Sequence, residues 1–186
     1  MDAVFYPNIY KEEKIFKQEG WHYHLDSVDG PLTYNGVVFN EMKGVFSSPE
    51  QLIERKIQQS LYPDTGYGFE SGGDPVDIPN LTYRDYLDFH SKYYHPSNSY
   101  IYLYGDMDME EKLTWIDEKY LSHFEYLKVD SEIKPQKAFD KPAEVDAFYS
   151  RAEGESEKDK SYISYNAVTG NSLDRDLYIA FQVLNY

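Results

Sequence analysis

The chain has 186 residues, with 33 acidic against 18 basic side chains and a net charge of −15, a balance that disfavours nucleic-acid partners, whose phosphates are held by Lys and Arg. It has no cysteine, so disulfides and thiolate metal sites are excluded, and no apolar run approaches the ~18 residues of a membrane span. Hydrophobic residues at 41% and aromatic residues at 17% suffice for a packed core, and the length allows one domain or parts of two.

Read from the beginning, MDAVFYPNIY lacks the basic and apolar regions of a signal peptide. Ala3, Val4 and Phe5 read as the tail of a helix whose start is missing, closed by the turn at Tyr6-Pro7-Asn8. KEEKIFKQEGWHYHLD begins as a charged helix and passes through Gly20 into alternating Trp21, Tyr23 and Leu25, the period of a strand. SVDGPLTYNG reads as loop. A helix from Val37 to about Phe46 follows, and a second opens on Ser48 as cap with Pro49 at its first position. Leu52, Ile53, Ile57 and Leu61 form the core stripe of that second helix, which ends near Pro63.

DTGYGFESGGDPVDIPN is a long Gly- and Asp-rich connection, of a length that is usually functional or disordered. A helix capped at Thr82 runs over 82–94, SYIYLYGD predicts a strand over 99–104, and 109–124 is amphipathic with Leu113, Ile116, Tyr120 and Leu121 inward. Segment 128–142 has no period and reads as a linker. Strands over 145–151 and 161–168 flank the acidic loop AEGESEKDK. The last helix has Ser172 able to cap, Asp174 in its first turn, and a stripe of Leu177, Phe181 and Leu184 that stops without a C-cap. This alternation predicts an α/β (α+β) sandwich, and both ends point to a fragment.

Candidate chemistry is sparse. His22 and His24 alternate along one strand, so both rings can face one way and share a metal, or simply face solvent. ESGGDP lacks the Lys and following Ser or Thr of a phosphate-binding loop. No G-x-S-x-G elbow occurs and no Ser/His/Asp set emerges from spacing. Glu41 is different. At helical spacing Val37, Glu41 and Val45 stand in one row beside Val38, Met42 and Phe46, which aims the carboxylate at an interior. A buried carboxylate needs a hydrogen bond, a base or a cation; alternatively the helix turns Glu41 to its margin near Lys43.

The stretches DAVFYPN, QEGWHYHL, GVVFNEMKGVFSSPE and LYPDTGYGFESGGDPVDIPNLTYRDYLDFHSKYYHPSNSYIYLYGD together resemble the presequence-protease branch of the M16 (pitrilysin/insulinase) zinc peptidases. The match runs from about Asp2 to Phe124 and more weakly beyond. The resemblance implies a LuxS-like M16 metalloenzyme fold, with 1–127 as the back part of a first module, 128–142 as linker and 143–186 as the start of a second. It implies that Glu41, in FNEMKG, is the glutamate ligand of a catalytic Zn²⁺ whose two His ligands and general-base Glu come from an H-x-x-E-H helix. That motif is absent from these residues, and His22, His24, His90, His95 and His123 cannot supply it. In the family it lies upstream, roughly 70–100 residues before Glu41. The family's Arg and Tyr substrate clamps belong to a later half.

The implied function is therefore a piece of a zinc metalloendopeptidase that degrades short unfolded peptides with metal-activated water and is inactive alone. The competing reading is a non-catalytic M16-like scaffold or peptide-binding subunit. Expected partners are peptide substrates and the remaining segments of the same polypeptide, with no nucleic acid and no membrane. The implied compartment is cytoplasmic in a bacterium and organellar in a eukaryote.

Overall fold

The computed structural model describes residues 1–185. In chain order the elements are α1 (Asp2–Phe5), α2 (Glu13–Glu19), β1 (His22–His24), β2 (Thr33–Asn35), α3 (Val37–Val45), α4 (Pro49–Leu61), α5 (Tyr83–Tyr93), α6 (Met109–Lys119) and α7 (Arg175–Leu184), with short 3-10 turns between them. They cluster into two compact units. One comprises Met1–Phe46 and Ser71–Lys134, the other Ser47–Glu70 and the chain from Pro135 onward.

Among the described residues the buried apolar side chains, Ile9, Phe39, Met42, Ile78, Ile116 and Tyr120, all lie in the first unit. β1 and β2 pair antiparallel, with His22 opposite Asn35, Tyr23 opposite Tyr34 and His24 opposite Thr33. β2 lies where the sequence reads as loop, because three residues without aliphatic side chains show no period of their own; the ladder with β1 makes the strand. On one side of this ribbon the rings of Trp21, Tyr23 and Tyr34 meet at 5.4–5.7 Å, and Tyr34 reaches Phe39 at 5.9 Å. α3 begins at Gly36, where a Cβ would lie 2.2 Å from the carbonyl oxygen of Gly20, so only glycine permits the approach. Phe39 and Met42 then pack with Ile78, flanked by Trp21, Val45 and Phe46. The Trp21 indole N–H donates to the Leu81 carbonyl at 2.9 Å.

α5 starts in a capping box, in which Thr82 Oγ1 accepts from the Asp85 N–H and Asp85 Oδ2 accepts from the Thr82 N–H at 3.0 Å. The Thr82 hydroxyl, which donates to Asp85 Oδ2 at 2.6 Å, and secondly the Thr82 N–H hold the Asp85 carboxyl below its usual range. His90 on α5 is buried and grips the N-terminal segment. Its Nε2 lies 2.9 Å from the Val4 carbonyl, which can only accept, so Nε2 carries the proton. Nδ1 is then the acceptor for the Tyr10 hydroxyl at 2.8 Å. Tyr83 donates to the Ile9 carbonyl.

The sequence predicts one helix over 109–124, but α6 ends at Lys119 and a 3-10 turn covers Leu121–His123. Tyr120 leaves the helix with φ −134°, is buried, and donates its hydroxyl to Asp2 Oδ1 at 2.9 Å. Phe124 packs on Phe5 and Tyr6, both at 5.7 Å. The segment 99–104 is not a strand. Its alternation survives, with Tyr100, Tyr102 and Tyr104 more than four-fifths exposed and Leu103 partly covered, but no described segment pairs with it, and a strand is a paired state.

In the second unit α4 is capped as its sequence predicts, Ser48 accepting from the Gln51 N–H, and Leu52, Ile53, Ile57 and Leu61 are half-buried. Gln136 and Asp64 bond reciprocally at 2.8 and 2.9 Å. Segments 145–151 and 161–168 form no ladder. Side chains join that region instead: Tyr149 donates to the Lys160 carbonyl, Lys160 pairs with Glu155 at 2.6 Å, and Arg151 with Glu157 at 2.9 Å. The Ser48 hydroxyl, donating at 2.7 Å, holds the Glu50 carboxyl below its usual range, and Tyr162 adds a weaker bond to it at 3.2 Å. α7 is capped by Asp174, which accepts from the Leu177 N–H at 3.0 Å, not by Ser172.

Met42 is 6% exposed at the centre of the first core, so Met42→Ala should cost about 2–5 kcal/mol in urea unfolding of this unit; a loss below about 1 kcal/mol would show that this core is not what holds the unit together. Burial, and secondarily Asp88, raises the Tyr10 phenol, and the bond to Asp2 raises that of Tyr120. A phenol whose folded value is raised stabilises fully below its unfolded value near ~10 and loses that contribution as pH climbs through the folded value. The melting temperature should therefore fall on the alkaline side above pH ~10. Tyr10→Phe combined with Tyr120→Phe should flatten that fall, and an unchanged alkaline slope would remove these phenols as its cause.

Candidate functional site

α3 turns Phe39 and Met42 inward, three residues apart, and the outward face carries Val37, Val38 and Glu41. This corrects the expectation that Glu41 points to an interior. The row that buries is set by the larger Phe39 and Met42 meeting Ile78, and that rotation leaves Val37 at 53% and Val38 at 36% exposure beside the exposed carboxylate. No ion pair with Lys43 forms, and among the described residues Glu41 has no salt-bridge or hydrogen-bond partner.

What fixes Glu41 is the backbone around it. Asn35 at the end of β2 accepts with its side-chain oxygen from the Gly36 N–H at 2.7 Å and from the Asn40 amide at 2.8 Å. The first turn of α3 is thereby tied to the ribbon immediately before Glu41. Beneath it lies Gly72, where a Cβ would be 2.3 Å from Met42 Sδ. ESGGDP, which lacks the residues of a phosphate-binding loop, serves packing instead: Gly72 faces Met42 of α3 and Gly73 faces Ile78. A Gly pair beside no helix start was the available signal for that close approach.

The five histidines are spread through the first unit. His22 and His24 share the face of β1 opposite the aromatic cluster, with ring centroids 6.0 Å apart. His90 is the buried N-terminal clamp, His95 accepts from the Ser97 N–H at 3.1 Å, and His123 is exposed. Among the described residues no three His, Asp or Glu side chains are grouped to hold a metal. The chemistry available at Glu41 is thus that of a single, accessible, uncompensated anionic oxygen donor on a helix held rigid from behind.

Because it is exposed and unpartnered, Glu41→Gln in this chain should change stability by no more than ~0.5 kcal/mol. Thermal melts of the two proteins at one pH test this, and a drop of about 1–3 kcal/mol would give Glu41 a structural partner.

The family described as the Peptidase M16 inactive domain matches residues 80–186. Over its whole length the chain is 55% identical to Protein HypA of Clostridium perfringens and covers 19% of it. It is likewise 41% identical to Presequence protease 1, chloroplastic/mitochondrial, of Arabidopsis thaliana, covering 17% of that protein. Against the mitochondrial presequence protease of Danio rerio it is 43% identical over 145 residues, 76% of this chain and 14% of the relative. The chain therefore spans less than a fifth of the length of these relatives.

Proposed function

This chain belongs to the M16 peptidase family, in its presequence-protease branch, and on that premise we propose that it is one segment of a zinc metalloendopeptidase that degrades short unfolded peptides. The observation that carries the proposal is Glu41: an accessible carboxylate without a partner, on a helix face bordered by exposed valines. A carboxylate oxygen is a proper zinc ligand, but a catalytic site takes three protein ligands and an open position. Glu41 fits as one ligand of such a set. The others would come from an H-x-x-E-H helix elsewhere in the same polypeptide, so the chain alone is inactive.

A zinc ion held there would supply a water of lowered pKa and a Lewis acid for a scissile carbonyl. The chain's own residues do the rest of what this segment contributes. Glu41 would hold such an ion and bring negative charge to it. Asn35 and Asn40 hold the first turn of α3, and Gly36 and Gly72 let that helix sit close enough to its support to stay put. Val37 and Val38 offer an apolar border that would exclude water from the surroundings of the ligand. The finer architecture goes with this reading: a LuxS-like fold with a first module over 1–127, a linker over 128–142 and a second module from 143. The partners are peptides and the remaining segments of the parent; the compartment is the cytoplasm of a bacterium or an organelle of a eukaryote.

One observation favours the second reading, a non-catalytic scaffold or peptide-binding subunit: the family model that matches residues 80–186 is described as an inactive domain. The parent's sequence ahead of α3 separates the two, since an intact H-x-x-E-H supports the peptidase and its absence the scaffold. In the full-length parent Glu41→Gln should lose bound zinc and lower turnover by orders of magnitude while the fold is kept. Zinc content, activity and melting on one preparation test it; full zinc occupancy with near-normal turnover would sink the ligand assignment.

A further inference from the structure

His22 and His24 stand on one face of β1, two residues apart, with their rings 6.0 Å apart at 80°. Each has one ring nitrogen already engaged. His22 Nδ1 lies 2.7 Å from the Lys17 carbonyl oxygen, an acceptor only, so Nδ1 carries the proton. His24 Nε2 lies 3.1 Å from Asp26 Oδ1 and donates to that carboxylate. The tautomers are thereby opposite, and the lone pairs left over are Nε2 of His22 and Nδ1 of His24. Neither takes a hydrogen bond among the described residues.

A metal-binding histidine characteristically donates its other ring N–H to a backbone carbonyl or a carboxylate, which fixes the ring and makes the free nitrogen more basic. Here both histidines have that support, one of each kind, before any metal arrives. Both rings are partly exposed, so an ion can reach them. The ribbon holds the pair in register, since His22 faces Asn35 and His24 faces Thr33, whose hydroxyl donates to the His24 carbonyl at 3.2 Å. The net charge of −15 raises the local concentration of cations.

We propose that His22 Nε2 and His24 Nδ1 form a two-nitrogen chelate for a divalent transition metal on the face of β1, oriented by the Lys17 carbonyl and Asp26. Imidazole pairs suit copper, nickel and zinc, and affinity follows the order in which Cu²⁺ exceeds Ni²⁺ and Zn²⁺. With two protein ligands and water in the remaining positions the ion exchanges readily and is lost on dialysis. The proposal draws on neither Glu41 nor the peptidase reading.

Copper(II) titrated into the full 186-residue chain, followed by electron paramagnetic resonance, tests it. One Cu²⁺ per chain should show coupling to two imidazole nitrogens, and Ni²⁺ and Zn²⁺ should compete more weakly. His22→Gln and His24→Gln should each remove one of the two nitrogens from the spectrum. Asp26→Ala should keep both nitrogens and weaken binding about 10-fold, the effect of losing an orienting acceptor. Far-UV circular dichroism and melting confirm that each variant is folded. An unchanged spectrum and affinity in the doubly substituted chain would assign the ion to the amino terminus or elsewhere and overturn the proposal, as would no copper binding by the unaltered chain.

Discussion

The Cβ that Gly36 lacks would lie 2.2 Å from the carbonyl oxygen of Gly20, so α3 begins where it does because two backbones meet there without a side chain between them. The arrangement of the first core follows. Trp21, the next residue after Gly20, is brought onto the same cluster as Phe39 and Met42, and Gly72 closes in from below on Met42. Protein interiors are packed to the density of organic crystals, so a contact this close fixes the rotation of α3 as well as its position. That rotation decides which residues face out, and Glu41 is one of them.

A second set of contacts holds the chain's first ten residues. Tyr83 and His90 bond to carbonyls of that segment, Tyr10 bonds to His90, and Tyr120 reaches Asp2. Tyr6 and Phe5 fill the space against Phe124 and Tyr120. Leaving any of these groups unpaired in a partly dry setting would cost more than the bond itself contributes, so the network is cooperative in the sense that each member protects the next. Tyr10, Tyr83 and Tyr120 serve here in two ways, each supplying apolar ring area and a hydroxyl that reaches a ring nitrogen, a backbone carbonyl or a carboxylate.

Much of this was legible in the sequence. The caps at Ser48 and Thr82, the helices α3, α4 and α5, and the strand around His22 and His24 follow from local chemistry that the rest of the chain does not override. The direction of Glu41 did not, because periodicity gives two apolar rows on α3 and only the partners across the gap, Ile78 and Trp21, choose between them. The 99–104, 145–151 and 161–168 segments carry the alternation of strands, yet a ladder is a property of two segments, and no second one among the described residues pairs with them. The end of α6 was hidden for the same reason: Asp2, 118 residues away, draws Tyr120 out of the helix. The pairing of Asn35 with Asn40, and the opposite tautomers of His22 and His24, depend on distances that no spacing rule supplies.

The grip of Tyr83 and His90 on the start of the chain has an evolutionary consequence. Both side chains hold carbonyl oxygens, of Ile9 and Val4, which every amino acid carries. Val4 is itself 44% exposed. The anchor therefore records the path of the backbone and not the identity of the residues along it. Substitutions at Val4 are free to accumulate without releasing the segment, whereas the tyrosine and histidine on α5 have no such latitude. Divergence in this corner of the molecule should be lopsided, drifting on the held strand of chain and frozen on the helix that holds it.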